Sequence, residues 1–308
     1  MAASATADYR ERHASNGWGA FVDVAAVVKM AVLAGLFVLA FWRPIRDVLV
    51  YRWVNDDTWT YCWLVPVFSL YFIAGRRDEL LCARRRTSLL GLVALSGALG
   101  LFALGIIKGI GYFQGVALVL TIIGLAWFLL GNSFMRILWF PLAFLMLAVP
   151  LPYNIYVGLT QPLQMLAART ASFFLSLIIP GLSAEQAGVR IDYFYNGESG
   201  SLHVDQGCSG MRTQMALLTL ALVVAYTGER PVWQRLVMIA ACVPIAIFVN
   251  VLRVAVTGWL QIHGYHDLAS GTPHALLGIV LFFGVALSLL MLVGYVLKNL
   301  FVDVPAEE

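Results

Sequence analysis

The chain has 308 residues, of which 61% are hydrophobic and 12% charged, and its mean hydropathy is +0.83. A soluble domain carries about 25% charged residues, so a water-soluble fold is excluded. The net charge of +3 is spread over short loops, with no basic patch of the nucleic-acid-binding kind and no CxxC pair among the four cysteines.

The first twenty residues are mostly polar and read as a cytoplasmic segment, 1–20. A helix crossing about 30 Å of hydrocarbon needs about 20 apolar residues. Runs that meet or approach this length fall at 21–42, 58–75, 88–107, 110–131, 135–151, 211–227, 237–257 and 275–297. The first is too long for a signal-peptide core and is expected to stay as an anchor. Pro141 and Pro244 lie inside spans, where membrane helices tolerate proline. The expected fold is therefore all-α and polytopic, with eight transmembrane helices and a small extracytoplasmic β-hairpin. Its organisation is a five-span bundle over 21–151, an extracytoplasmic interfacial helix and hairpin over 152–210, a three-span catalytic bundle over 211–298, and a cytoplasmic tail at 299–308.

Short-loop arginine and lysine set the orientation. Arg76, Arg77, Arg84, Arg85 and Arg86 form the densest basic cluster, which places that loop in the cytoplasm. Alternation then puts Arg136, the Gly228–Arg235 loop and Lys298 on the same side. Arg43, Arg46 and Arg52 fall outside, partly offset by Asp47, Asp56 and Asp57.

Residues 153–180 carry Gln161, Gln164 and Arg169 at helical spacing. They suit either an amphipathic helix lying in the interface or a ninth crossing, and the loop charges favour the former. Val189–Tyr195 alternates like a strand, Asn196–Gly200 supplies turn chemistry, and Ser201–Val204 returns as a second strand. Such a hairpin can receive an extended peptide as an added strand.

Three places put polar groups where a span meets the outer surface. In Asp205-Gln-Gly-Cys-Ser-Gly-Met-Arg212, glycines flank Cys208 and Ser209, and the cysteine falls at or near a helix N-terminus. Unpaired N–H groups and the helix dipole there favour a thiolate. Arg212 adds positive potential one turn on. The alternatives are an inert cysteine in a helix cap, or a disulfide with Cys62. Cys82 falls on the cytoplasmic side, and Cys242 in the inner part of its span. Arg253 follows Asn250 near the outer end of the seventh span. An intramembrane arginine costs about 2.5–3.5 kcal/mol at mid-bilayer and is a functional candidate; its five donors suit an oxyanion. The plainer reading is an arginine that snorkels. His274 heads the last span after Ser270-Gly-Thr-Pro273 and is the natural proton carrier near neutral pH, with His263 and His266 as rivals. A nucleophile, an anion stabiliser and an acid/base on one face are the parts needed for acyl transfer through a thioester. No metal or cofactor is implied, because the histidines lack ligand partners at convincing spacing.

Cys208-Ser-Gly-Met-Arg212, Asn250-x-x-Arg253 and His274-x-x-x-Gly278 with Phe282 following resemble, in order and placement, the exosortase/archaeosortase family of membrane transpeptidases. The likeness is strongest over 150–298. It implies Cys208 as nucleophile, Arg253 and His274 completing the site, and Ser209, Gly210, Arg212 and Asn250 in support. The histidine is similar to the bacterial branch, which implies the bacterial inner membrane with the site facing outward. Implied partners are membrane lipid, an unknown acceptor nucleophile, and secreted proteins ending in a Pro-Glu-Pro-type motif, a transmembrane helix and a basic tail. Nucleic acid is not among them. The rival readings are a transporter or polysaccharide-export component, and a scaffold without catalysis.

Overall fold

The computed structural model describes residues 24–203, 211–228, 230–269 and 271–300. Helix α1 (Val24–Arg43) runs into a π-helical turn (Pro44–Val50) and a short α2 (Tyr51–Asn55). The Asp56 carboxylate then accepts the Thr58 N–H at 2.9 Å and opens a 3-10 segment (Asp57–Trp63) that continues as α3 (Leu64–Gly75). After α4 (Arg77–Cys82), helices α5 (Leu89–Ile107) and α6 (Gly111–Leu130) form an antiparallel pair. Small residues let their backbones touch. A Cβ on Gly124 would stand 2.7 Å from the Leu95 nitrogen, and one on Gly91 would run into the Phe128 main chain. Where burial against lipid gives no hydrophobic gain, such close approach is what holds helices together.

Helix α7 (Asn132–Phe144) begins beside Gly131, whose φ of +86° suits only glycine. It contains Pro141, whose carbonyl accepts the Ser69 hydroxyl at 2.8 Å, and ends in a 3-10 turn (Leu145–Ala148). The chain then bends by 83° into α8 (Tyr153–Ile178). Beyond the sheet come α9 (Met211–Thr227), α10 (Val232–Ile262), α11 (His266–Ala269), α12 (Gly271–Leu281), a second π turn (Phe282–Ala286) and α13 (Leu287–Leu300).

Five described stretches are long and apolar enough to cross a bilayer alone: 57–75, 89–107, 111–130, 232–262 and 276–299. The bent pair 132–148 and 153–178 makes a sixth if it is one span, and α9 is a shorter apolar helix. The eight expected from the sequence also counted α1. Large apolar side chains such as Leu39, Leu89 and Ile107 point outward, as a lipid-facing surface requires.

The bundle has two distinguishable ends. At one, Asp57 pairs with Arg212 at 3.1 Å. At the other, Arg76 lies 5.5 Å over the Tyr226 ring, which stacks on Phe140 at 3.9 Å, and Arg230 donates to the Gly294 carbonyl at 2.8 Å. Helices α3 and α9 therefore run parallel, and the basic loops around Arg76, Arg86 and Arg235 all lie at the end away from Asp57. Both ends of α8 touch the Asp57 end: Tyr156 packs on Trp59 at 6.0 Å between ring centres, and Leu175 packs against Gly258 of α10. Ala167, Ala168, Ala171 and Leu175 line its buried face against Val251 and Val254.

Three antiparallel strands, β1 (Ser183–Ala187), β2 (Arg190–Tyr195) and β3 (Glu198–His203), make a sheet in that order. The expected hairpin is β2–β3, with its turn confined to Asn196-Gly197, and β1 adds a strand that the sequence did not announce. Ile191 and Leu202, paired across the sheet, are buried against α8 and α10. The Tyr193 ring covers Gly200, its cross-strand partner, where a side chain is missing.

Candidate active site

At the Asp57 end lies a cavity of about 330 Å³, lined by Asp57, Tyr61, Arg212, Arg253, Gly278 and Phe283 among others. Four separate parts of the chain build it: the 3-10 segment before α3, the start of α9, the last third of α10, and α12 with the π turn behind it. The π turn matters for shape. Phe283, near its start, lines the same cavity as Gly278, five residues earlier.

Arg253 is the most deeply buried charged side chain among the described residues, only 9% exposed. Its guanidinium lies flat against Gly278, so that a Cβ there would stand 3.2 Å from Cζ and 3.3 Å from Nη2. Any larger residue would compete for the space the guanidinium holds. The Thr257 hydroxyl donates to the Arg253 carbonyl at 2.6 Å, which ties off the turn of α10 that carries it. Arg212 sits in the first turn of α9, where the positive end of the helix dipole adds to its charge. One Nη meets Asp57, while its buried Nε has no hydrogen-bond partner among the described residues. Two guanidinium groups and one carboxylate thus share a single cavity. The balance is positive, and it suits an anion that forms or docks between them.

Among the site residues expected from the sequence, Arg212 and Arg253 come together in this cavity. Asn250 is buried one turn below Arg253. Cys208, Ser209 and Gly210 lie outside the described residues. Helix α12 places position 274 one turn before Gly278 on the same helical face, but the His274 side chain is outside the described residues. His263, one rival, stacks on Trp259 at 4.4 Å and faces Tyr195 at 5.9 Å, away from the cavity lining. The Cys62 thiol is free and buried, with its sulfur 3.6 Å from the Leu147 carbonyl oxygen, so it is not in a disulfide. Among the described residues no group of three or more His, Cys, Asp or Glu side chains is placed to hold a metal ion.

The second span contributes residues that its apolar pattern does not single out. Asp57 reads in the sequence only as a loop charge, and nothing marks Thr60 or Tyr61, yet all three line the cavity. The available signal is a pair of acidic residues at the very start of an apolar run, of which Asp56 caps the segment and Asp57 is left to pair with Arg212.

Residues 53–292 match the family model of transmembrane exosortases. The chain belongs to the transmembrane exosortase family. No curated protein and no solved structure matches it. The matched region of the exosortase opens just before Asp57 and closes in the last helix, so every element that lines the cavity lies within it. Membership indicates a multi-pass membrane transpeptidase, and the elements holding Arg212 and Arg253 are the ones that carried the sequence resemblance.

Proposed function

We propose that this exosortase is a cysteine transpeptidase that cuts membrane-anchored secreted proteins near a C-terminal sorting signal, at the extracytoplasmic face of the bacterial inner membrane. The observation carrying this reading is the shared cavity of Arg212 and Arg253 at the end of the bundle reached by β3 and by the start of α9, the two elements that flank Cys208 in the chain. Only two residues, Ser209 and Gly210, separate Cys208 from Met211, the first residue of α9.

In the proposed reaction the Cys208 thiolate attacks the scissile carbonyl carbon, and the oxyanion that forms faces Arg253. Collapse of the tetrahedral adduct breaks the C–N bond, and His274 gives a proton to the leaving amine. The thioester is then resolved by an acceptor amine or by water, which restores the thiol. Arg212, held by Asp57, keeps the local potential positive and so favours the thiolate. The clustering of basic loops at the opposite end supports the outward orientation of the cavity, because cytoplasmic loops are enriched in Lys and Arg.

The test is co-expression with a reporter made of a secreted passenger, a Pro-Glu-Pro-type segment, a transmembrane helix and a basic tail. Release of the passenger should be lost in Cys208→Ala, and a mass-trapped acyl-enzyme should map to Cys208 in the parent. Unchanged release by Cys208→Ala would sink the reading and favour a transporter or scaffold. Arg253→Lys should also fail, because an ammonium keeps the charge but loses the planar fork lying on Gly278.

A further inference from the structure

The sheet has two outer edges, and they are not equivalent. β1 lies against α8, where the Gln186 amide donates to the Met165 carbonyl at 3.2 Å. β3 pairs with β2 alone among the described residues.

The phase of the ladder shows which groups the β3 edge presents. Asn196 and Gly197 have φ of +50° and +86°, the two-residue turn whose flanking pair exchanges both hydrogen bonds. From there bonded and non-bonded pairs alternate. Tyr195↔Glu198, Tyr193↔Gly200 and Ile191↔Leu202 are the bonded pairs. The N–H and C=O groups of Ser199, Ser201 and His203 therefore point away from β2, toward the open edge. The β1–β2 turn gives a matching phase: Gly188 at φ +68° closes Ala187↔Arg190, which leaves the odd residues of β2 to serve β3.

Proteins blunt open edges with prolines, lysines or inward charges. Here the edge-facing positions are Ser199 and Ser201, both exposed, followed by His203. The inner face is anchored, since Leu202 reaches Gly258, five residues beyond Arg253 on α10. The strand ends five residues before Cys208. An unblunted, rigidly mounted edge that leads into the proposed nucleophile fits an extended peptide about to be cut.

We infer that the open edge of β3 receives the extended segment preceding the substrate's transmembrane helix as a fourth strand, bonded to the main chain of Ser199, Ser201 and His203. The inference rests on the transpeptidase reading. It assigns substrate alignment to main-chain hydrogen bonds, with the substrate's alternate side chains left to face either side of the sheet.

Ser201→Pro removes one edge-facing N–H and sets a ring in the path of an added strand. The β2–β3 ladder does not use that N–H, and an edge strand tolerates proline there. Reporter release should slow by about tenfold or more, while Ser201→Ala, which keeps the N–H, should match the parent. Alkylation of Cys208 by iodoacetamide, read by mass spectrometry, should be the same in both. Wild-type release by Ser201→Pro overturns the inference while leaving the reading of Cys208 intact; release by Cys208→Ala overturns that reading instead. Should Ser201→Pro lose Cys208 alkylation through misfolding, photocrosslinking decides. A benzoylphenylalanine replacing Ser199 in the Cys208→Ala protein should capture the reporter segment preceding its helix. Capture of only the reporter helix, of a second copy of this chain, or of nothing rejects the docking edge.

Discussion

The Arg253 guanidinium packs where no side chain stands opposite it. Gly278 offers a flat backbone surface, and the guanidinium fills the space a Cβ would take. Gly278→Val is therefore expected to displace the fork without removing it. Misplacing a charged group by about 1 Å can cost roughly a hundredfold in rate, so reporter processing should fall by about that factor. Gly278→Ala should be milder, because its single carbon would need the guanidinium to give by only a few tenths of an ångström. Thermal melting in detergent separates this from unfolding: both variants should melt within a few degrees of the parent. A Gly278→Val protein that processes normally would mean Arg253 need not sit where it does. Arg253 itself was legible in the sequence because an arginine in an apolar run is expensive. Its glycine partner was legible only through family resemblance, since nothing in the local pattern of α12 marks one small residue as special. Asp57 was harder still. Its side chain is 83% exposed, and its pair with Arg212 contributes about 0–1 kcal/mol. It reads as ordinary loop charge until the fold brings α9 beside it.

Among the elements, long apolar helices were legible and short polar strands were not. α5, α6 and α10 follow directly from runs of leucine, isoleucine, valine and alanine that have no other stable state in lipid. β2 and its turn to β3 announced themselves by alternation and by Asn196-Gly197. β1, by contrast, is Ser-Ala-Glu-Gln-Ala, built of residues depleted from strands; it exists because β2 offers an edge and α8 a surface. The sequence left α8 undecided between lying flat and crossing, because its buried stripe of Thr160, Gln164, Ala168 and Leu175 would serve either. The contacts of its two ends with Trp59 and Gly258, at the same end of the bundle, were not visible in one dimension. The α5–α6 pair gives a sharper expectation. Gly91 faces the main chain of Phe128, whereas Gly97 and Gly100 on the same helix meet nothing. Gly91→Leu should force the helices apart and cost about 1–3 kcal/mol, seen as a lower melting temperature in detergent. Gly97→Ala and Gly100→Ala should be neutral or slightly stabilising. Equal effects at Gly91 and Gly97 would show that the close helix contact is not what holds this pair.

At the scale of the whole molecule, the densest basic cluster and the cavity of Arg212 and Arg253 sit at opposite ends. The far end carries Arg76, Arg77, Arg84, Arg85, Arg86 and Arg235. The cavity end holds two of its arginines in ion pairs. Arg46 meets Asp47 at 2.7 Å, a contact that holds the Asp47 carboxyl below its usual range, and Arg212 meets Asp57. Arg46, one of the three arginines that weaken a simple count of loop charge, is thus offset by its neighbour. Two separate cavities hold arginines, one around Arg253 and one of about 400 Å³ around Arg76 and Arg235, whereas a transporter would spread such groups along one path. Between them lie apolar layers that include Leu217, Ala221, Met238 and Val249. A cysteine at Asn196, on the tip of the β2–β3 turn, reports one end of this arrangement, and the native exposed Cys82 reports the other. In intact cells a membrane-impermeant maleimide should label Asn196→Cys and spare Cys82, and permeabilisation should expose both. The reverse pattern would turn the cavity toward the cytoplasm, where secreted substrates are never presented in their folded, translocated form, and the cleavage chemistry proposed for Cys208 would have no substrate to reach.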